Sequence, residues 1–181
     1  FFHHCFESDH LPVVVAVGRL TDQKAFDVLI RAFYLLRKEY SAHLLILGEG
    51  ENRQALETLI YQLDLEQDVS LPGFVQNPYP YMAHASLFVL PSRWEGLPTV
   101  LVEALYLGTP IIATDCPGGS REILKDGQFG RLIPVDDSHI LAETMADILS
   151  GRRTHPPKES WEPYCLNFVT DQYLELLPGA S

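Results

Sequence analysis

The sequence lacks any apolar run approaching the ~18 consecutive residues that a membrane-spanning helix needs. Its first four residues, FFHH, lack the basic start and long apolar stretch of a secretory signal. Cysteine is scarce, since Cys5, Cys116 and Cys165 lie far apart and without CxxC spacing. Neither a disulfide framework nor a zinc site is therefore indicated. These absences favour a soluble protein in a reducing cytoplasm.

Positive charge is also scarce, because 13 Lys and Arg residues stand against 24 Asp and Glu residues, for a net charge of -11. A field of this sign repels DNA, RNA and anionic lipid, so we expect no nucleic-acid partner and no direct membrane insertion. An anionic small ligand would have to meet a local basic cluster. The candidate cations for such a cluster are Arg19, Lys24, Arg93 and Arg121.

The 181 residues are 46% hydrophobic and 20% charged, which is typical of a compact domain with a packed core. Residues 13–17 form a continuous apolar, β-branched run that predicts a strand buried on both faces. From Lys24 onward, apolar residues repeat at helical spacing. This strand-loop-helix unit recurs, with further strands predicted at 44–47, 69–71, 87–90, 110–113 and 130–135.

Further helices are predicted over 54–63, from about 98, near 121 and over 138–149, whereas the prolines of 77–80 indicate a loop. Buried apolar strands alternating with helices predict an α/β fold with a doubly wound parallel sheet, Rossmann-like in type. Such sheets bind ligands beyond the carboxyl ends of their strands. The loops after the strands are therefore where a site is expected.

The chain divides into three predicted parts. Residues 1–12 are interpreted as a leader or the remnant of a linker between domains. Residues 13–150 form the α/β domain. Residues 151–181 are interpreted as a connector followed by a C-terminal helix, because an apolar stripe runs from Trp161 to Leu177.

The segment 91–103 carries the most chemical information. Pro98 suits the first position of a helix, and Gly108 suits the position just past its end. The start of this helix would present unpaired backbone N–H groups, which form a seat for an anion such as a diphosphate. The amides expected in this seat are those of Gly96, Leu97, Thr99 and Val100.

Two carboxylates flank this helix start. Glu103 lies one turn after Thr99 among apolar neighbours, so its carboxylate needs hydrogen-bond donors. Ribose hydroxyls would serve, and so would the amides of a neighbouring loop; both interpretations stay open. Glu95, in the preceding loop, would accept hydrogen bonds from sugar hydroxyls or oppose positive charge at a sugar carbon, unless it is an ordinary loop acid.

A second cluster, residues 18–24, follows the first strand. Arg19 offers a planar guanidinium and Lys24 a point charge at a helix start, a pairing that matches a pyrophosphate. The alternative is a solvated turn with a surface lysine. The phosphate interpretation is favoured because both clusters occupy strand-end loops of one sheet.

Taken together, these residues resemble the GT-B retaining glycosyltransferases of the family 4 type (group 1), in their C-terminal donor-binding domain. The resemblance covers roughly residues 13–149. Its motifs are Glu95 and Glu103 with seven residues between them, the Gly18-Arg19-Leu20 loop with Lys24, Gly48-Glu49-Gly50, Pro72-Gly73-Phe74-Val75, and Gly118-Gly119 before Glu122-Ile123.

The resemblance implies roles for these residues. Arg19 and Lys24 match the pair that neutralises the donor diphosphate, Glu95 matches the acid that contacts the transferred sugar, and Glu103 matches the acid that holds the ribose. The remaining donor-binding residues implied are Gly18 in the first loop, Phe74 and Val75 beside the base, and Gly96, Leu97, Thr99 and Val100 as amide donors.

The same resemblance implies transfer of a hexose or N-acetylhexosamine from a nucleotide diphosphate sugar, expected to be a UDP-sugar, with retention of configuration. No metal or other cofactor is expected. The acceptor would be a glycan or lipid-linked molecule in polysaccharide assembly, in the cytoplasm or at the inner membrane face. The acceptor-binding N-terminal domain is an implied partner, without which the chain would be inactive.

Two departures from the family pattern concern the same loops. Ala25 follows Lys24 where glycine is common, and the sequence Glu95-Gly96-Leu97-Pro98 is shorter than the usual form. These departures leave the preferred sugar and base open.

Three other functions compete with glycosyl transfer. A dehydrogenase is disfavoured because Arg53 replaces the third glycine after Gly48-Glu49-Gly50. A nucleotide-sugar epimerase half-domain and a non-catalytic nucleotide-binding module stay as alternatives.

Overall fold

A computed structural model describes residues 11–151 and 155–165 of the chain. Its six strands form one sheet in the order β3-β2-β1-β4-β5-β6, and every neighbouring pair is parallel. The strands are β1 Val13–Val17, β2 His43–Leu47, β3 Val69–Gly73, β4 Leu87–Leu90, β5 Ile111–Thr114 and β6 Arg131–Ile133. The order reverses between β1 and β4, which creates the crevice where such sheets bind ligands.

Helices α1 to α5 connect consecutive strands, and α6 follows β6. They are α1 Phe26–Arg37, α2 Arg53–Gln62, α3 Tyr79–His84, α4 Thr99–Leu107, α5 Ser120–Ile123 and α6 Ser138–Leu149. Asp137 caps α6 by accepting hydrogen bonds from the amides of His139 and Ile140. Gly108 ends α4 in the left-handed conformation, with φ of 73°.

The core consists of two apolar layers, one on each face of the sheet. Alternate residues of a strand point to opposite faces, so Val14 and Ala16 pack against α1, α2 and α6. Val13 and Val15 pack on the other face, against α3, α4 and α5. Both faces are covered, which explains why the strands are almost wholly apolar. The predicted doubly wound α/β fold is confirmed.

The prediction of a loop over 77–80 was wrong, because α3 begins at Tyr79. Pro78 precedes this helix and Pro80 lies in its first turn. Proline is tolerated there, since the amide that it lacks would have no partner within the helix. The prolines therefore mark a helix start and not a break.

The C-terminal prediction is tested only as far as residue 165. Residues Lys158–Ser160 and Glu162–Tyr164 form two separate 3-10 turns, so the described part of this segment is no continuous helix. Trp161 packs edge-on against Tyr106 of α4, with ring centroids 4.8 Å apart. Residues 1–10 and 166–181, where the leader and the C-terminal helix were predicted, lie outside the described residues. No helix within the described ranges is long and apolar enough to cross a bilayer.

Candidate functional site

The loop after β1 and the loop after β4 meet where the strand order reverses. Lys24 of the first loop and Glu95 of the second form an ion pair, with Lys24 Nζ 2.6 Å from Glu95 Oε1. Only 16% of the Lys24 side chain and 6% of the Glu95 side chain are exposed. Charges this shielded from water interact more strongly than a surface pair does. The structure thus joins two residues predicted to act in catalysis, although 71 positions separate them.

The two oxygens of the Glu95 carboxylate have different surroundings. Oε1 accepts hydrogen bonds from both Lys24 Nζ and the hydroxyl of Ser92, the latter at 2.5 Å. Oε2 accepts none from the part of the chain that the structure describes. This arrangement orients the carboxylate and leaves one oxygen for a ligand hydroxyl.

Arg93 fastens the same two loops together. Its guanidinium donates to the Asp22 carbonyl at 2.6 Å and pairs with Asp27 and Asp136. Burial opposes the charge on Arg93, but the two carboxylates outweigh that effect and raise its pKa. The loops are also joined by Gln23, whose backbone carbonyl accepts from the Arg93 amide and whose side chain donates to the Trp94 carbonyl.

Three of the four cations proposed for a phosphate site already have carboxylate partners, and only Lys24 has its partner within the predicted site. Arg93 is committed to the loop contacts, and Arg121 pairs with Asp115 and Asp126. Sequence reasoning missed both roles. A signal was present for Arg121, since both its partners lie within six positions of it, but nothing in the sequence indicated that Arg93 would reach α1.

Arg19 differs from these cations, because it is exposed and makes no ion pair with a described residue. It lies in a cavity of about 510 Å³ at the ends of β1 and β2. Three other residues predicted to bind the donor line the same cavity, namely Gly18, Phe74 and Val75. This cavity combines a free cation with apolar walls.

Glycines let neighbouring loops approach each other closely around the site. A Cβ atom on Gly118, whose φ is 126°, would lie 2.2 Å from the carbonyl oxygen of Glu95. A Cβ atom on Gly48, with φ of 150°, would lie 1.9 Å from the Gly18 carbonyl oxygen. Neither distance is sterically possible, so both motif glycines are required by the contact between loops.

The expected anion seat at the start of α4 is present in part. The amides of Gly96, Leu97 and Val100 donate to no described residue, as predicted. The Thr99 amide instead donates to the Leu97 carbonyl at 2.9 Å, so the prediction of a free N–H there was wrong. The cause is Pro98, which precedes the helix with φ of -76° and ψ of 83° and so folds residues 97–99 into an inverse γ-turn.

Glu103 lies in a second cavity, of about 630 Å³, together with Leu97 and Thr99. Its other walls are mostly apolar and include Tyr106 and Trp161. Glu103 makes no hydrogen bond or ion pair with a described residue, and burial raises its pKa above the usual 4.5. Glu103 therefore accepts no hydrogen bond from the amides of a neighbouring described loop, and the interpretation that it does so is wrong. Its carboxylate still needs donors.

Ala25 accounts for one departure from the family pattern. It adopts the left-handed conformation, with φ of 49°, and separates the 3-10 turn Asp22–Lys24 from α1. Glycine adopts this conformation without steric cost, whereas alanine does not. The left-handed residue also moves the start of α1 from the predicted Lys24 to Phe26.

No group of three or more His, Cys, Asp or Glu side chains among residues 11–151 and 155–165 is arranged to hold a metal ion. The charged groups where the two loops meet are the Lys24–Glu95 pair and Arg93 with its carboxylate partners, and Arg19 lies in the adjacent cavity.

Comparison with known proteins supports this picture. The family model described as "Glycosyl transferases group 1" matches residues 6–164. The chain is 31% identical over 172 residues to the lipopolysaccharide core biosynthesis glycosyltransferase LpsE of Rhizobium meliloti, covering 92% of this chain and 49% of LpsE. It is 38% identical over 136 residues to a Campylobacter jejuni enzyme named as a 4-alpha-N-acetylgalactosaminyltransferase, covering 75% of this chain and 37% of that enzyme.

The fold is also that of solved GT-B glycosyltransferases. The crystal structure of Anabaena HepE in complex with UDP superposes with a TM-score of 0.77 at 24% identity, covering 91% of this chain and 48% of HepE. The chain spans less than half the length of these relatives. From the family match over residues 6–164 and these likenesses, we conclude that the chain belongs to the group 1 glycosyltransferases.

Proposed function

We propose that this chain is the nucleotide-sugar donor-binding domain of a retaining glycosyltransferase. The observation that carries the proposal is the contact between Lys24 and Glu95, which joins the two predicted site loops at the crevice of the sheet. A chance surface pair would be exposed and mobile. This pair is shielded, fastened by Arg93, and flanked by free backbone amides.

In the proposed complex the donor diphosphate meets Arg19, Lys24 and the free amides of Gly96, Leu97 and Val100. Side-chain cations together with oriented N–H groups at a helix start are suited to bind an anion of this kind. Lys24 is then shared between the diphosphate and Glu95. The local positive charge offsets the acidic character of the whole domain.

The other parts of the donor meet the two cavities. The base lies against the backbone of Phe74 and Val75, beside Gly18. The ribose hydroxyls donate to Glu103, which supplies the hydrogen bonds that this carboxylate lacks. The transferred sugar faces Oε2 of Glu95, with Thr99 at the rim of the second cavity.

The proposed reaction passes through an oxocarbenium-like state with retention of configuration. As the bond to the sugar breaks, negative charge grows on the departing diphosphate, and Arg19, Lys24 and the start of α4 stabilise it electrostatically. Glu95 opposes the positive charge that develops at the sugar carbon. Because the chain's own groups supply this stabilisation, we propose that transfer needs no metal or other cofactor.

The substrates are proposed from the relatives. A UDP-sugar is favoured because the similar Anabaena structure holds UDP, and a hexose or N-acetylhexosamine because one relative is named for N-acetylgalactosamine transfer. The acceptor is a glycan or lipid-linked molecule in polysaccharide assembly at the cytoplasmic side. An N-terminal domain would bind it, so the isolated chain is proposed to bind donor with negligible transfer.

Calorimetric titration of the chain with UDP, GDP, UDP-glucose and UDP-N-acetylglucosamine tests the proposal. We expect binding that Lys24→Ala and Glu103→Ala weaken, while Lys38→Ala, at the far end of α1, leaves it unchanged. If none of these four ligands binds, the proposal of a donor-binding domain is refuted. Binding of NAD in their place would favour a dehydrogenase, and an epimerised sugar nucleotide in the incubation would favour an epimerase.

A further inference from the structure

Ser92 is a wholly buried residue that links Glu95 to the body of the sheet. It lies two positions beyond the end of β4 and has no exposed surface. Its hydroxyl donates to Glu95 Oε1 at 2.5 Å. Its backbone carbonyl accepts a hydrogen bond from the hydroxyl of Thr114, the last residue of β5. A chain of contacts therefore runs from β5 through Ser92 to the Glu95 carboxylate.

The two donors to Glu95 Oε1 differ in how firmly they are held. Lys24 has a long side chain that is partly exposed and is proposed to turn toward the donor diphosphate. Ser92 has a short side chain on a buried backbone that Thr114 anchors. When Lys24 is shared with the diphosphate, its contact with Oε1 weakens, and Ser92 still holds Oε1 in place. The orientation of Oε2 toward the site then depends on Ser92.

We propose that Ser92 is a positioning residue for Glu95 and thereby determines how tightly the sugar moiety of the donor is held. The inference rests on the proposed function, because it takes Glu95 as the residue that meets the sugar. Ser92 makes no hydrogen bond to Arg19, Glu103 or the amides at the start of α4. Its loss should therefore affect the sugar and leave the nucleotide contacts intact.

The decisive measurement is the ratio of two dissociation constants, one for UDP and one for whichever of UDP-glucose and UDP-N-acetylglucosamine the wild type binds more tightly. Ser92→Ala is expected to weaken UDP-sugar binding about fivefold to tenfold, the scale of one ordinary hydrogen bond, because Ser92 acts on the sugar only through Glu95. UDP binding should change less than twofold. Equal weakening of both ligands would show that Ser92 is merely structural and would overturn the inference.

A double-mutant cycle with Glu95→Ala tests whether Ser92 acts through Glu95. In the Glu95→Ala background, Ser92→Ala should produce no further loss of UDP-sugar affinity. A further loss of the same size in that background would contradict the inference. So would an unchanged UDP-sugar affinity in Glu95→Ala itself.

A matched control and a pair of Thr114 variants complete the test. Ser120→Ala removes another wholly buried serine hydroxyl, one that faces Cys116 and does not reach Glu95, and it should leave the ratio unchanged. Thr114→Val should shift the ratio in the same direction as Ser92→Ala but less, and Thr114→Ser should restore it. If Ser92→Ala fails to fold, as judged by urea unfolding, the Thr114 pair decides: no shift in Thr114→Val would overturn the inference.

The outcome for wild type separates this inference from the proposed function. If wild type binds none of UDP, GDP, UDP-glucose and UDP-N-acetylglucosamine, the proposed donor-binding function fails, and the inference about Ser92 fails with it. If wild type binds the UDP-sugar and Ser92→Ala binds it equally well, only the inference about Ser92 fails.

Discussion

Glu95 and Glu103 belong to one motif, yet the loop around the first and the helix face around the second have opposite character. The Glu95 carboxylate is almost wholly shielded and already accepts two hydrogen bonds. The Glu103 carboxylate borders an open apolar cavity, has no donor among the residues that the structure describes, and has a raised pKa. The loop region is therefore organised by its own contacts, whereas the helix face carries a carboxylate without a donor among the described residues.

The difference follows from the local backbone. The loop that carries Glu95 lies beside the loop after β1. This contact brings Lys24 next to Glu95 and the Asp22 carbonyl next to Arg93. Glu103 lies in the middle of α4, where the helix consumes its own amides, and its neighbours Val102 and Leu107 offer no donor. The donors that line the cavity, among them Thr99 and Tyr106, form no hydrogen bond with this carboxylate, so it is open to donors from a ligand or from water.

The largest effect on the loop around Glu95 is expected for Gly118→Ala. The new methyl group would overlap the Glu95 carbonyl oxygen and force an unfavourable φ, so we expect a loss of about 3 kcal/mol in the free energy of unfolding. Gly151→Ala is the matched control, because Gly151 also has a positive φ, 110°, but open space around it. Urea unfolding measures both, and an equal loss in the two variants would contradict the role of the Glu95 contact.

The next largest effect is expected for Lys24→Met, which leaves the shielded Glu95 carboxylate without its cation. We expect destabilisation of about 2 kcal/mol by urea unfolding, less than for a fully buried pair because Lys24 is partly exposed. Adding Glu95→Gln should recover part of this loss. The exposed pair formed by Arg121 is the control, and Arg121→Met should show no measurable change.

Glu103→Ala is expected to weaken UDP binding about tenfold, since it removes a carboxylate that would accept hydrogen bonds from ribose. The UDP to UDP-sugar ratio should stay constant, in contrast to Ser92→Ala. Calorimetry with UDP provides the measurement. Glu143→Ala, on the exposed face of α6, is the control and should bind UDP like the wild type. Normal UDP binding by Glu103→Ala would place the ribose elsewhere.

The smallest effect is expected for Glu103→Gln without ligand. Because burial raises the folded-state pKa of Glu103, the protonated form is favoured in the folded state, and this contribution is lost as pH rises through that pKa. At pH 7 the ionised group destabilises the fold, so Glu103→Gln should raise the free energy of unfolding slightly. The gain should vanish below about pH 4.5, the unperturbed value. Unfolding curves at several pH values provide the test.

Much of the fold was predictable because its signals are local. The apolar runs predicted all six strands to within two residues at each end, and α6 matches its predicted range of 138–149. The prolines around Tyr79 misled the prediction, since proline both ends helices and begins them. The prediction of a free Thr99 amide was wrong for a similar reason, because the conformation of Pro98 directs this N–H toward the Leu97 carbonyl.

The parallel sheet and the position of two motif loops at the ends of its strands could be predicted from the sequence, because apolar runs and the alternation of strands with helices are local patterns. Which charged groups meet, and the order of the strands in the sheet, depend on the tertiary structure. Lys24 pairs with Glu95, 71 positions away, and Arg93 joins the two loops, whereas Arg19 makes no ion pair with a described residue. A charged side chain pairs with a group that the fold brings near it in space, whatever their separation along the chain. Burial then determines whether the pair is shielded from water or solvated.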